Sequence, residues 1–448
     1  MIEKAINRKD RQLFATPLLH NSMIKQFYHL YIIQSPYLCA LSRITFMQKR
    51  QRTIIILILG LLSAIGPFSI DMYLPGFPAI ANDLNTSVDM VAYTLASFFV
   101  GICFGQLISG PLLDRYGRKK PLIGGMSIYI LASIGCAFST SVEMLIVLRL
   151  VQALGGCVTM VAPRAIIRDV FPVHESAKIF SMMILILGIS PIIAPTAGSF
   201  LIAKFGWYSV FLTLGAISFV VLLAVIFLLP ESKQPDSSFL LKRKPILASF
   251  KTVLKNRQFY MYTMSGAIAA AGLFAYLAGS PFVLLKFYGV TEKEYGLIFA
   301  IIASGLITAS QVNNFLLKKY TSVQIVRTTL IIQSLAGLAL ITGAAFNVLG
   351  LCSIIFLIFI FLSCQGFNFP NSSALSMEPF EKEAGSASAL MGAIQMGFGA
   401  LAAACVGLLN AHTAVPMTGV MATCSLGALI ILMLAGKKNA RLEREIPV

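Results

Sequence analysis

Twelve long apolar runs, separated by short polar breaks, dominate the chain: residues 53–75, 90–112, 121–141, 144–166, 179–202, 208–229, 259–284, 295–317, 325–346, 349–371, 386–409 and 414–435. About 20 predominantly apolar residues suffice for a helix to cross the roughly 30 Å hydrocarbon core of a bilayer. Only helices and closed barrels satisfy every backbone polar group in lipid. Barrel strands would alternate apolar and polar positions, whereas these runs are continuously apolar. The pattern therefore predicts an all-α polytopic membrane protein with twelve transmembrane helices.

The polar breaks divide these spans. The longest inside the membrane part is Pro230–Gln258, which carries seven basic residues and leaves six spans on either side. Two six-helix halves on a linker are the plan of parallel-repeat transporters. The chain accordingly divides into an N-terminal half at 47–229, a linker at 230–258 and a C-terminal half at 259–448. Residues 1–46, with six basic and two acidic residues, are too polar to span. They read as a poorly ordered extension or a mis-assigned start, because MQKRQRTIIILILG from Met47 is itself a normal beginning for such a protein. A short repeat supports the two halves: LLDRYGRKK follows the second span and LLKKYTSVQ the eighth, so that Asp114 corresponds to Lys318 and Gly117 to Thr321.

Composition agrees. The chain is 57% hydrophobic and 12% charged, where soluble domains are about half apolar and a quarter charged. Its formal charge of +17 raises the question of nucleic acid. After Met47, however, Arg149 lies inside a span, only Lys204, Lys286 and Lys293 fall in loops on one side, and the remaining basic residues gather on the other side. Cytoplasmic loops carry the excess of Lys and Arg, so the charge is a topology signal that puts both termini in the cytoplasm. Nucleic acid is not an expected partner. The eight cysteines and four histidines show no metal-ligand spacing, so no metal is expected. There is no phosphate loop and no catalytic cluster, which argues against an enzyme and against ATP as the driving force.

Two charged residues, Asp71 and Arg149, stand inside the spans away from their ends. Charge within a bilayer is costly and usually functional. At a rise of 1.5 Å per residue, Asp71 lies roughly 6–10 Å below the outer edge and Arg149 roughly 9 Å below it. A direct or water-bridged pair is therefore feasible. Asp71 is a candidate to bind and release a coupled proton while Arg149 tunes it, because burial and a neighbouring cation act oppositely on a carboxyl. The alternatives are a static pair joining the first and fourth spans, or Asp71 capping a helix end. Between the halves, candidates for a substrate-cavity lining are Tyr73, Gln152, Phe274, Tyr276, Gln311, Gln365, Asn368 and Gln395. Each of these also reads as an ordinary packing or interhelical residue. No fixed anion site is evident, which favours neutral or weakly charged amphipathic substrates.

Several motifs add a resemblance. SGPLLDRYGRKKPL at 109–122 resembles the signature between the second and third helices of the major facilitator superfamily. LRLVQALGG at 148–156 resembles its fourth-helix signature. GISPIIAPTAG at 188–198 resembles the fifth-helix signature of drug–proton antiporters, with Gly198-Ser199 where Gly-Gly is common. SIDMYLPGFPAIA, RAIIRDVFP and SPFVL resemble the bicyclomycin and chloramphenicol resistance (Bcr/CflA) subfamily. The resemblance implies a two-half, twelve-helix transporter of the bacterial inner membrane that exports drugs against protons, with no cofactor beyond the proton gradient and a monomer as its working form. Its alternative cargo is an endogenous metabolite or siderophore. It also implies a cytoplasmic gate formed by Gly110, Asp114, Gly117, Arg118, Lys119 and Asp169, with Arg118 reaching Asp169. The alternative for this loop is a plain topology anchor. The resemblance finally implies a pliant contact between the halves at Gly188, Pro191, Pro195 and Gly198, whose alternative is ordinary kinked packing.

Overall fold

The computed structural model describes residues 49–171, 173–235, 250–380, 384–409 and 413–442. The expectations for residues 1–46, and for the linker between 236 and 249, lie outside them. Twelve long helices, numbered here alone, account for the spans: α1 Lys49–Asp71, α2 Val88–Tyr116, α3 Lys119–Ala137, α4 Val142–Val170, α5 Val173–Phe205, α6 Tyr208–Leu228, α7 Arg257–Ser280, α8 Glu292–Leu316, α9 Ser322–Ala345, α10 Leu351–Met377, α11 Ala384–Leu408 and α12 Val415–Leu442. Eleven carry a stretch long and apolar enough to cross a membrane, and α5 contributes a shorter apolar stretch, Ile189–Phe205.

Local chemistry sets the ends of these helices. Ser87, Ser141 and Asn256 accept a backbone N–H from the first turns of α2, α4 and α7. Thr291 and Thr321 form reciprocal capping boxes with Glu294 and Gln324 at α8 and α9. Such caps satisfy donors that the first turn leaves free. At the two positions paired by the sequence repeat the turns differ: Gly117 ends α2 with φ +82°, whereas α8 already stops at Leu316 and Thr321 begins α9 as its cap.

Lipid replaces water around the outer helices. Leu131 on α3, Phe227 on α6 and Leu335 on α9 are largely exposed, as expected where the solvent is hydrocarbon. By contrast α7 is central and buried on almost every side. The two halves meet through α2 and α11 and through α5 and α8, and Phe99 of α2 stacks edge to face on Phe274 of α7 at 4.6 Å. Their facing ends define two poles. One pole carries the basic turn Arg115–Lys120 and is called the charge-rich end; the other carries the C-terminus of α1 and is the charge-poor end.

Arg164, near the end of the predicted span 144–166, lies inside α4 and its span. The helix continues through Pro163 to Val170, so a second cation on α4 sits within the membrane region.

Candidate functional site

The site grows from the end of α1. The helix stops at Asp71, a 3₁₀ turn follows at Leu74–Gly76, and a short helix resumes at Phe77–Asp83. Pro75 supplies no N–H to continue the ladder. Met72 N–H still donates to the Phe68 carbonyl at 3.1 Å. The next carbonyl, that of Ser69, is taken instead by Arg149, whose Nη2 donates to it at 2.9 Å. The last carbonyls of a helix lack intrahelical partners and carry partial negative charge. Arg149 thus caps α1 from α4.

Arg149 is completely buried. Its Nη1 donates to Gln152 Oε1 at 2.7 Å, and Gln152 Nε2 donates to Ser133 Oγ on α3 at 2.7 Å. Its guanidinium lies 4.2 Å from the Tyr73 ring centroid, 4.1 Å from Phe98 and 5.7 Å from Phe211. Ser69 Oγ shares a hydrogen bond with Tyr129 Oη at 2.6 Å. Backbone carbonyl, amide and ring faces together replace the water around this cation.

Asp71 lies elsewhere. No hydrogen bond or ion pair joins it to Arg149, so the feasible direct pair of the sequence reading is not formed. The reason is helical geometry: at about 100° per residue, Asp71 is rotated roughly 200° from Ser69. Ser69 faces α3 and α4 in its own half, which turns Asp71 towards the other half. There it is 5% exposed and within electrostatic reach of Tyr276 on α7 and Tyr295 on α8. Tyr295 Oη shares a hydrogen bond with Ser280 Oγ at 2.9 Å, while the Tyr276 hydroxyl has no hydrogen-bond partner.

This corner is sealed by backbone contact. A methyl group added at Gly198 of α5 would collide with the Met72 carbonyl, so α5 can reach the broken end of α1 only with glycine there. Ser199 Oγ donates to the Glu292 carbonyl of α8 at 2.9 Å. A Cβ at Gly296 would stand 3.3 Å from Thr196 Cα. α5 stays helical through Gly188, Pro191 and Pro195. Trp207 Nε1 donates to Asp83 at 2.8 Å, pinning the loop after α5 to the short helix.

The structure sorts the candidate cavity residues into different environments. The hydroxyl of Tyr73 is paired with Thr94 at 3.2 Å, and Gln152 serves the Arg149 network. Asn368 donates to Gln333 at 2.9 Å and accepts from Thr329. Polar atoms on these three are engaged within their own halves. Tyr276 and Gln365 are buried with unpartnered polar atoms. Phe274 sits in the seam against Phe99, Gln395 is buried on α11 and Gln311 is exposed on α8.

At the charge-rich end, Arg118 Nε donates to Asp169 at 2.7 Å and Nη1 to Asp114 at 3.1 Å. Burial works against the charge on Arg118, but the carboxylates of Asp169 and Asp114 outweigh it and hold the guanidinium above its ordinary pKa. Lys233 Nζ also donates to Asp114 at 2.9 Å. Lys119 Nζ donates to the Ile226 carbonyl at the end of α6, at 2.7 Å. Glu231 accepts from the backbone N–H groups of Arg118 at 2.7 Å and Lys119 at 3.1 Å. Ser232 Oγ donates to Asp169 at 3.3 Å, so Glu231, Ser232 and Lys233 strap the linker onto this turn. Sequence reasoning missed them; the acidic residue directly after Pro230 was the available signal. Gly117 is required by its positive φ. Gly110, a member of the same motif, faces open space where a Cβ would meet nothing within 4 Å.

Comparison with known proteins places this geometry. The family description Major Facilitator Superfamily matches residues 59–404. An uncharacterized MFS-type transporter, YdgK of Bacillus subtilis, is 34% identical over 85% of this chain and 95% of its own length. A bicyclomycin resistance protein homolog of Haemophilus influenzae is 29% identical over 88% of this chain and 99% of its own. The multidrug resistance protein MdtL of Escherichia coli is 30% identical over 82% and 92%. Among solved structures, a bacterial homolog of the human lysosomal transporter Spinster, inward-facing and unoccupied, superposes with a TM-score of 0.66 at 15% identity, covering 87% of this chain and 96% of that one. A D-xylose–proton symporter gives 0.66 at 14% identity over 85% and 97%.

Proposed function

Because the chain belongs to the Major Facilitator Superfamily, and so is a multi-pass membrane transporter and not an enzyme, we propose that it exports small amphipathic compounds in exchange for protons. Its place is the bacterial inner membrane, with the charge-rich end and both termini in the cytoplasm, in keeping with the asymmetry of Lys and Arg. The observation that carries the coupling is Asp71. It is a buried carboxyl with no ion partner among the described residues, set in the seam between the halves at the closed charge-poor end. A buried ionisable group facing a bundle interior marks an ion or substrate path.

In this reading the halves rock about the seam and expose Asp71 to one side of the membrane at a time. A proton taken up from outside drives the cycle, and its release inside resets the carboxyl. Arg149 keeps the end of α1 rigid, so that Asp71 stays aimed at the other half. The cluster of Arg118, Asp114 and Asp169 holds the cytoplasmic turn in one shape and gates that side. The similarity to proteins named for bicyclomycin and multidrug resistance supports drugs as cargo.

Everted membrane vesicles with an imposed pH gradient, offered a panel of antibiotics and dyes, test this reading. Gradient-driven accumulation of one or more compounds is the expected result. Absence of drug accumulation, together with a changed extracellular metabolite pool in a deletion strain, would instead identify an endogenous metabolite as cargo.

A further inference from the structure

Tyr276 is 1% exposed and its hydroxyl makes no hydrogen bond. Buried tyrosine hydroxyls usually find a partner, and an unsatisfied one costs about 1–3 kcal/mol. The ring is held in place, 5.8 Å from that of Phe299. Ser280, one turn along α7, lies near the hydroxyl and adds to its electrostatic surroundings, but its Oγ falls outside hydrogen-bond geometry with Tyr276 and instead shares a hydrogen bond with Tyr295 Oη at 2.9 Å. Across the seam stands Asp71, from the other half, in electrostatic reach of both tyrosines. In Asp71's own half the nearby cation, Arg149, is committed to the Ser69 carbonyl and to Gln152. Among the described residues, a donor without an acceptor therefore stands in electrostatic reach of a carboxyl without a donor.

We propose that Tyr276 is a positioning residue for the proton site: its hydroxyl donates to the Asp71 carboxyl, directly or through one water, while the charge-poor end is shut. This rests on the reading of Asp71 as the proton carrier. The phenol keeps its own proton throughout and only donates. The proton that Asp71 gives up passes to water on the open side. Because Tyr276 belongs to the opposite half, the contact breaks when the halves part at this end, so the surroundings of the carboxyl change with the conformation. That dependence is what coupling requires, since a ligand shifts a conformational equilibrium only through a difference in its interaction with the two states.

The test is the infrared difference spectrum, low pH minus high pH, of the purified full chain in lipid nanodiscs. The carboxylic C=O band that disappears in Asp71→Asn belongs to Asp71. In Tyr276→Phe, which keeps the ring against Phe299, that band is expected to move to higher frequency as the hydrogen bond is lost. A Tyr276→Phe band at the wild-type position overturns the proposal. A reciprocal measurement needs no change at Tyr276: the tyrosine C–O band in the wild-type difference spectrum should vanish in Asp71→Asn, and its persistence counts against the proposal equally. If Asp71→Asn removes no carboxyl band, the proton-carrier reading fails as well, an outcome distinct from the failure of Tyr276 alone.

Discussion

The guanidinium of Arg149 donates to the backbone carbonyl of Ser69 at 2.9 Å and makes no ion pair with Asp71, two residues further on, which has no cation partner among the described residues. Arg149 thus acts as a structural cap, and Asp71 is left for the proposed proton exchange. The separation follows from the period of a single helix, since positions two apart face opposite ways.

Arg149→Ala should destabilise the protein by about 3 kcal/mol, the cost of removing charge-assisted hydrogen bonds and leaving buried partners unsatisfied. Arg149→Lys should recover little, because an ammonium cannot present a planar fork to Ser69 and Gln152 while stacking between Tyr73 and Phe98. Thermal unfolding of the detergent-solubilised variants provides the check.

Gly198→Ala and Gly110→Ala should behave oppositely although both glycines lie in family-like motifs. A methyl at 198 meets the Met72 carbonyl, whereas one at 110 meets nothing within 4 Å. The first is expected to lose about 1–3 kcal/mol through forced backbone shifts. The second should stay within about 0.5 kcal/mol of the parent, or gain slightly from helix propensity. Parallel melting curves and transport rates separate them.

Glu231→Ala should cost about 1 kcal/mol, because the first backbone donors of α3 lose their cap. Asp114→Asn, which weakens the contacts to Arg118 and Lys233, should slow transport about tenfold if those contacts contribute about 1.4 kcal/mol to the rate-limiting rearrangement. Rates are compared at equal amounts of inserted protein. An unchanged rate would reduce the turn to a topology anchor.

These residues also mark what a sequence can disclose. The twelve spans are legible because lipid forbids unpaired backbone and tolerates little charge. Asp71 and Arg149 stand out for the same reason, and Arg118 with Asp169 follows from motif and topology. The partner of Arg149 was not legible, since a main-chain carbonyl has no letter and Phe98 and Phe211 reach it from other helices. Arg164 falls within the predicted span 144–166, but so near its end that the charge pattern does not separate it from the following loop, whereas α4 continues to Val170. Glu231 was hidden in a linker whose polarity suggested only solvent. The opposite fates of Gly110 and Gly198 depend on which backbone each one meets, and only the packed structure supplies that.

The most direct measurement is proton-gradient-driven accumulation of a transported compound in everted vesicles, comparing the parent with Asp71→Asn at equal protein. The parent should accumulate the compound in proportion to the gradient. The variant, still folded because Arg149 and Ser69 are untouched, should bind the compound yet show no dependence on the gradient. Gradient-driven accumulation by Asp71→Asn at the parental level would contradict Asp71 as the proton carrier.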